Sequence, residues 1–255
     1  MADCCLKTTL LPSKSAKRQK FGSSGSSKTA FISVKGDASD TWRLDAVVDL
    51  IKAGGVGIIP TDTYPALVCD IDDKRAVEKL YTIKEMSPSK PLSILCRNFQ
   101  DINTYTLGFP ASNAPGRRDM FRLARQALPG PYTFILLASK QLPKQCVDYL
   151  TGKSKTRRSV GVRLPADDIC QALLSQLDRP LLCSSMYVDQ ESPLRLADAA
   201  VLADQYAGRG IDFVVDSGQR MAEGSTIIDL TGPEPQLLRQ GKGDASMFLD
   251  VMAMA

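Results

Sequence analysis

Two hydrophobic periods alternate along this chain. Leu44, Val47, Val48 and Ile51 recur at i, i+3, i+4 and i+7, one face of a helix that Asp40 is placed to cap and Gly54 to stop. The continuous apolar run 56–60 then reads as a buried strand. It delivers Thr61, Asp62 and Thr63 to its C-terminal end, where open α/β sheets place their ligands. Tyr64-Pro65 follows, so the chain turns away instead of continuing as a strand. The second helix starts near Asp72-Asp73, turns Val77, Leu80 and Tyr81 inward, and carries Lys84 at its far end before Pro88 stops it. Residues 91–96 read as a strand, 120–128 as a helix, and Pro129-Gly130-Pro131 as a tight turn feeding a strand that ends at Leu137. Strands at 158–164 and 180–183 flank a helix marked by Ile169, Ala172, Leu173 and Leu177. After a helix near 196–206 come strand candidates at 211–215, 225–230 and 235–239. Strands interleaved with helices predict a single α/β domain, and the strand-rich last third predicts a mixed sheet.

Residues 1–38 break this pattern. They are rich in Ser, Lys and Gly, with Asp3 the only acid before Asp37, and cannot bury enough apolar surface to offset chain entropy. The expectation is a disordered leader over 1–38 and a folded domain over 39–248. A basic, Ser-rich, acid-poor leader reads as an organellar transit peptide, for a chloroplast or mitochondrion; a plain tail on a cytoplasmic protein is the alternative. Lys17-Arg18-Gln19-Lys20 also passes as a weak nuclear signal. No apolar run approaches the roughly 20 residues of a membrane helix. The net charge of +4 is too small to argue nucleic-acid binding by itself.

Composition removes whole classes of chemistry. The 255 residues include no histidine, which excludes Ser-His and Cys-His nucleophile pairs and imidazole metal sites. Seven cysteines form no C-x-x-C pair, and Cys69, Cys96, Cys170 and Cys183 lie in apolar runs, as packed small hydrophobes do. Chemistry is left to Lys, Arg, carboxylates, hydroxyls, backbone amides or a hard cation. Arg163 stands out because an unpaired guanidinium inside an apolar strand is expensive. For Thr61 and Thr63 a ligand contact and a plain polar loop are equally compatible with the pattern. Lys84 at a helix C-terminus also complements the helix dipole.

Four segments taken together resemble one family. They are Pro60-Thr61-Asp62-Thr63, the run from Pro129 to Thr133, Val160-Gly161-Val162-Arg163-Leu164-Pro165, and the run from Gly224 to Thr231. Their order and spacing over about residues 40–245 are similar to the YrdC family, also called TsaC, of L-threonylcarbamoyladenylate synthases. The resemblance implies a twisted mixed β-sheet with flanking helices around a basic cavity. It also implies a reaction in which L-threonine, bicarbonate and ATP, carried as its Mg²⁺ complex, give threonylcarbamoyl-AMP and pyrophosphate, a step of tRNA modification. No tightly bound cofactor and no protein metal site are expected. Lys84 and Arg163 match the family's catalytic cations; Thr61, Thr63 and Ser185 match its substrate-binding positions. Ser225, Thr226 and Arg239, with Lys84, match its nucleotide side.

Three positions depart from the family pattern. Its K-x-R motif reads Lys84-Glu85-Met86, its S-x-N motif reads Ser185-Met186-Tyr187, and Pro65 stands where a tyrosine usually follows PTDT. A branch typified by the bacterial protein YciO also lacks the arginine and the asparagine, and this chain looks most like that branch. The Asp101–Thr106 run, DINTYT, is among its closest echoes. Two functions follow from the resemblance: a nucleotidyltransferase of weakened or redirected activity, or a non-catalytic binder of nucleotide, tRNA or double-stranded RNA. Lys153, Lys155, Arg157 and Arg158 suit phosphate tracking, although such runs are usually solvated loops.

Overall fold

A computed structural model describes residues 29–87, 90–110, 119–143, 159–186 and 196–249. Twelve strands are described: β1 (Ala30–Ser33), β2 (Gly57–Ile59), β3 (Ala66–Asp70), β4 (Ser93–Leu95), β5 (Tyr132–Leu137), β6 (Ser159–Arg163), β7 (Leu181–Ser185), β8 (Leu196–Ala197), β9 (Phe213–Asp216), β10 (Arg220–Met221), β11 (Thr226–Asp229) and β12 (Gln236–Arg239). Ten of them form one sheet in the order β1-β9-β2-β3-β7-β4-β6-β5-β11-β12, and β8 pairs with β10 in a small ribbon. Parallel pairs (β1 with β9, β9 with β2, β4 with β6, β5 with β11) alternate with antiparallel ones. The sheet is therefore mixed, as the strand-rich last third of the chain predicts.

The helices are α1 (Asp45–Lys52), α2 (Lys74–Ile83), α3 (Phe99–Tyr105), α4 (Met120–Ala127), α5 (Asp168–Ser175) and α6 (Ala199–Gln205), with a 3-10 turn over Thr41–Leu44 ahead of α1. The predicted inner faces hold, with Leu44, Val47, Val48 and Ile51 buried on one segment and Val77, Leu80 and Tyr81 on the next. Asp73 caps α2 by accepting from the Arg75 and Ala76 amides. Asp40 does not cap the first helical segment; its Oδ1 instead accepts from the Lys35 amide at 2.8 Å. Gly54, at φ +85°, ends that segment in the left-handed region that glycine tolerates.

Two corrections concern strands. Residues 30–33, read from composition as leader, pair in register with β9 as the sheet's edge strand; residues 1–28 lie outside the described residues. After Tyr64-Pro65 the chain does resume as a strand: β3 returns antiparallel to β2, with Ile59 opposite Ala66. Among the described residues no helix is long and apolar enough to cross a membrane.

Strand register divides the side chains between two faces. One carries Ile58, Leu67, Ile94, Val162, Phe134 and Ile228 into a large core with α2, α4 and α6. The other is covered, among the described residues, over only part of its width. Ile59, Ala66, Val68, Leu95, Leu181 and Cys183 pack there against α1 and α5 in a second core. Beyond that core the same face carries Ser93, Gly161, Thr133, Ile227 and Arg239; the register sets Ser93 opposite Gly161, and Ile227 opposite both Thr133 and Arg239.

Candidate functional site

A cavity of about 160 Å³ opens on that part of the sheet. Its lining includes Ser93 of β4, Thr133 of β5, Arg163 of β6, Cys183, Ser184 and Ser185 of β7, and Ser225, Ile227 and Arg239 from the β11–β12 side. Lys90 and Pro91 complete it. Among the described residues its charged lining residues are Lys90, Arg163 and Arg239. Gly161 lies against two of these side chains: a Cβ there would sit 2.6 Å from the Ser93 Oγ and 3.3 Å from the Thr133 methyl, so a larger residue would displace them.

Arg163, with 3% of its surface exposed, is held from one side. Its Nη2 donates to Thr63 Oγ1 at 2.5 Å, to Asp62 Oδ1 at 3.0 Å and, more weakly, to Thr61 Oγ1 at 3.4 Å. The Asp62 carboxylate, 5% exposed, also accepts from the Ala166 amide at 3.0 Å. Arg163 Nε is buried and has no hydrogen-bond partner among the described residues. Thr61 donates to the Tyr64 carbonyl at 2.7 Å and accepts from the Thr63 amide. Both threonines are buried, and both line a smaller cavity of about 20 Å³ beside α6 and the end of β9. The guanidinium and the two hydroxyls thus stand between the two cavities.

On the far wall Arg239 donates through Nε and Nη2 to the Ser225 carbonyl, at 3.0 and 2.8 Å, and through Nη2 to Ser225 Oγ at 3.1 Å. Ser225 Oγ in turn meets Thr133 Oγ1 at 2.8 Å. Gly241 is required behind them: a Cβ would stand 2.2 Å from the Gly224 carbonyl oxygen. Thr226 does not reach the cavity. It is fully buried, its hydroxyl donates to the Gly243 carbonyl at 2.5 Å and accepts from the Gly241 amide, and its place is in the turn.

Lys84 caps α2 and donates through Nζ to the Ser185 carbonyl at 3.0 Å. Burial, reinforced by repulsion from Lys90, brings its pKa down from 10.5 to about 8. Next to it Glu85 adopts φ +50° and pairs with Arg209 at 3.1 Å. Met86 occupies the third position of the motif, where its sulfur lies 3.7 Å from the Ser184 Oγ at the cavity wall. The cavity thiol is unreactive: burial pushes Cys183 up to about 11, against the opposing field of Arg163. Cys69, Cys96, Cys170 and Cys183 are buried and not disulfide-bonded, as their apolar contexts predict.

Arg163, Ser185, Ser225 and Arg239 therefore share one cavity, Thr61 and Thr63 support it from behind, Lys84 borders it through Ser185, and Thr226 stands apart. Sequence reading placed Asp62 beside Thr61 and Thr63 but not as the partner of Arg163, and it passed over Ser93 and Thr133 as site residues. The signal for the last two is a small polar residue alternating with Ile94 or Phe134 in strands otherwise apolar. Tyr187, at the asparagine position, and the Lys153, Lys155, Arg157 and Arg158 run lie outside the described residues.

The sequence pattern of the Sua5_yciO_yrdC family, described as Telomere recombination, matches residues 49–241. Protein YciO of Escherichia coli K12, itself uncharacterised, is 30% identical over 219 residues, which span 86% of this chain and 98% of that one. A crystal structure of E. coli YciO superposes with a TM-score of 0.73 at 29% identity, covering 87% of this chain and all of that one. The threonylcarbamoyl-AMP synthase of Pyrococcus abyssi is 29% identical over 84% of this chain but only 58% of its own length. A structure of P. abyssi Sua5 complexed with L-threonine matches with a TM-score of 0.67 at 28% identity, over 84% of this chain and 58% of that one.

Proposed function

This chain belongs to the Sua5/YciO/YrdC family, and on that footing we propose that it is a nucleotidyltransferase of the threonylcarbamoyl-AMP synthase type, working on L-threonine, bicarbonate and Mg²⁺·ATP. The observation that carries the reading is Arg163 Nε, a buried guanidinium donor without an acceptor among the described residues, in a residue that lines the cavity with Lys90 and Arg239. A guanidinium in that state suits a planar carboxylate or a phosphate oxygen. The P. abyssi protein complexed with L-threonine supports an amino acid as the carboxylate donor. Thr61 and Thr63, whose hydroxyls already meet Arg163, serve by orienting it.

The chemistry asks little of the protein beyond position and charge. The threonine amine adds to the carbon of bicarbonate with loss of water, giving a carbamate. A carbamate oxygen then attacks the α-phosphorus of ATP; the bond to the β-phosphate oxygen breaks and pyrophosphate leaves with that electron pair. No imidazole is needed, because catalysis of such transfers rests on alignment and on cations that meet the growing charge. Arg239, Lys90 and Lys84 supply that charge on the nucleotide side, with Mg²⁺ arriving on ATP. Met86 in place of an arginine removes one such cation, a loss of about 3 kcal/mol of transition-state stabilisation by comparison with other electrostatic donors. Slow turnover follows.

Pyrophosphate release from ATP, Mg²⁺ and bicarbonate should require L-threonine and vanish in Arg163→Ala. Met86→Arg should raise the rate. Threonine-independent release, or an unchanged rate in Arg163→Ala, would sink the reading. Absence of release combined with salt-sensitive binding of tRNA or double-stranded RNA, weakened by Lys155→Glu, would instead make this a binding protein.

A further inference from the structure

One lysine links the segment after β12 to the β2–β3 connection, each beside a residue that lines the cavity. Lys242 follows Arg239 by three residues, and its backbone amide donates to the Gly224 carbonyl at 2.9 Å, at the foot of β11. Its side chain leaves that wall and donates through Nζ to the Asp62 carbonyl at 2.8 Å, in the β2–β3 connection 180 residues earlier. Arg239 and Ser225 stand at one end of this bridge, and Asp62 with Arg163 at the other.

The bridge is exposed, and the acceptor of the ammonium is a neutral carbonyl. The Asp62 carboxylate is already engaged by Arg163 and the Ala166 amide. Backbone around Lys242 is fixed independently: the Gly241 amide is held by Thr226, and Tyr132 donates to the Asp244 carbonyl. With that backbone held, the bridge can open by side-chain rotation alone. That matters because Met86, against Ser184 of the cavity lining, stands where the family motif has an arginine.

We propose that Lys242 is a phosphate-binding residue of this site, which exchanges the Asp62 carbonyl for a β- or γ-phosphate oxygen of bound nucleotide and closes the mouth behind it. The exchange replaces a hydrogen bond to a neutral oxygen with one to an anion, and charge-assisted bonds are the stronger kind. The inference rests on the nucleotidyltransferase reading and adds a residue that the family motifs do not mark.

Titration calorimetry with Mg²⁺·ATP and with inorganic pyrophosphate tests it on the full chain. Lys242→Met should weaken both by about tenfold and flatten the salt dependence, as loss of one charge-assisted bond does. Lys242→Arg should restore most of the affinity, L-threonine binding should be unchanged, and the unliganded melting temperature should move little. Wild-type ATP affinity in Lys242→Met would overturn the proposal while leaving the nucleotidyltransferase reading intact. An equal loss of L-threonine affinity would make Lys242 a structural latch and overturn it as well. Failure of the wild-type protein to bind either anion would overturn both.

Discussion

Removing the Asp62 carboxylate tests how Arg163 is held. The ion pair is 3.0 Å long with side chains 3% and 5% exposed. Two unit charges at that distance attract by about 5 to 6 kcal/mol at an effective dielectric of roughly 20, before desolvation is subtracted. Much of that attraction offsets the burial of both ions, so the pair's net worth is small, but breaking it is not symmetrical. Asp62→Ala strands a buried guanidinium with two hydroxyls as its remaining acceptors. Stranding a buried charge typically costs about 3–5 kcal/mol. For a domain of this size that corresponds to roughly 10 °C in melting temperature. Arg163→Met should cost less, because the Asp62 carboxylate keeps its bond from the Ala166 amide. The double variant Asp62→Ala/Arg163→Met should be more stable than Asp62→Ala alone. Thermal melts with and without pyrophosphate complete the assay: an anion entering the cavity should rescue Asp62→Ala by more than it stabilises the wild type, since it replaces the lost carboxylate. A loss below about 1 kcal/mol, or a double variant no better than the single, would refute the stranded-charge argument.

Three shorter expectations accompany it. Gly241→Ala should destabilise by about 1–3 kcal/mol and reduce nucleotide affinity, because its Cβ would stand 2.2 Å from the Gly224 oxygen and push the Arg239 wall outward; urea melts and ATP titration read both. Lys84 has a folded pKa of about 8 against an ordinary 10.5, so above pH 8 the folded state sheds a proton that the unfolded chain keeps. Its contribution to stability therefore rises between pH 8 and 10.5 while ATP affinity falls as the charge is lost, and Lys84→Met should abolish both slopes in melts and titrations across that range. Glu85→Gly should stabilise by about 0.5–1 kcal/mol in a urea melt, because φ +50° after a helix C-terminus suits glycine and the exposed Arg209 pair contributes little.

Much of the fold is legible in the sequence because each buried helix face repeats with helical spacing and each central strand is a short apolar run. What escaped did so for local reasons. Residues 30–33 belong to an edge strand whose burial alternates, and they adjoin a Ser-rich stretch, so composition outweighed a four-residue pattern. β3 follows Pro65, a turn signal, and is buried on both faces, so no alternation announces it. Asp40 has the right chemistry for a cap, but a preceding amide was closer. In the site, Arg163 was legible because a guanidinium in an apolar strand demands an explanation. Its partner Asp62 was hidden by sequence distance, since a carboxylate on a turn has many ordinary uses. Thr226 shows the opposite failure, a motif position whose hydroxyl is taken by the turn behind it.

The location of the cavity follows from how the second face of the sheet is covered. α1 and α5 close it over β2, β3 and the near side of β7, and there the strands present Ile59, Val68, Leu95 and Leu181. Farther across, the same face changes to Ser93, Thr133 and Arg239, residues that could not pack beneath a helix without leaving polar atoms unmatched. Those polar atoms satisfy one another: Thr133 with Ser225, Arg239 with Ser225, Thr61 with Thr63. The exception is Arg163 Nε. An unmatched buried donor costs about 1–3 kcal/mol, and that penalty is relieved when an acceptor enters. On the proposed function, an anion that meets Arg163 would offset that cost, so part of its affinity would come from the unmatched donor. Arg163→Met, which deletes the deficit together with the charge, should therefore weaken ligand binding by more than it weakens the fold.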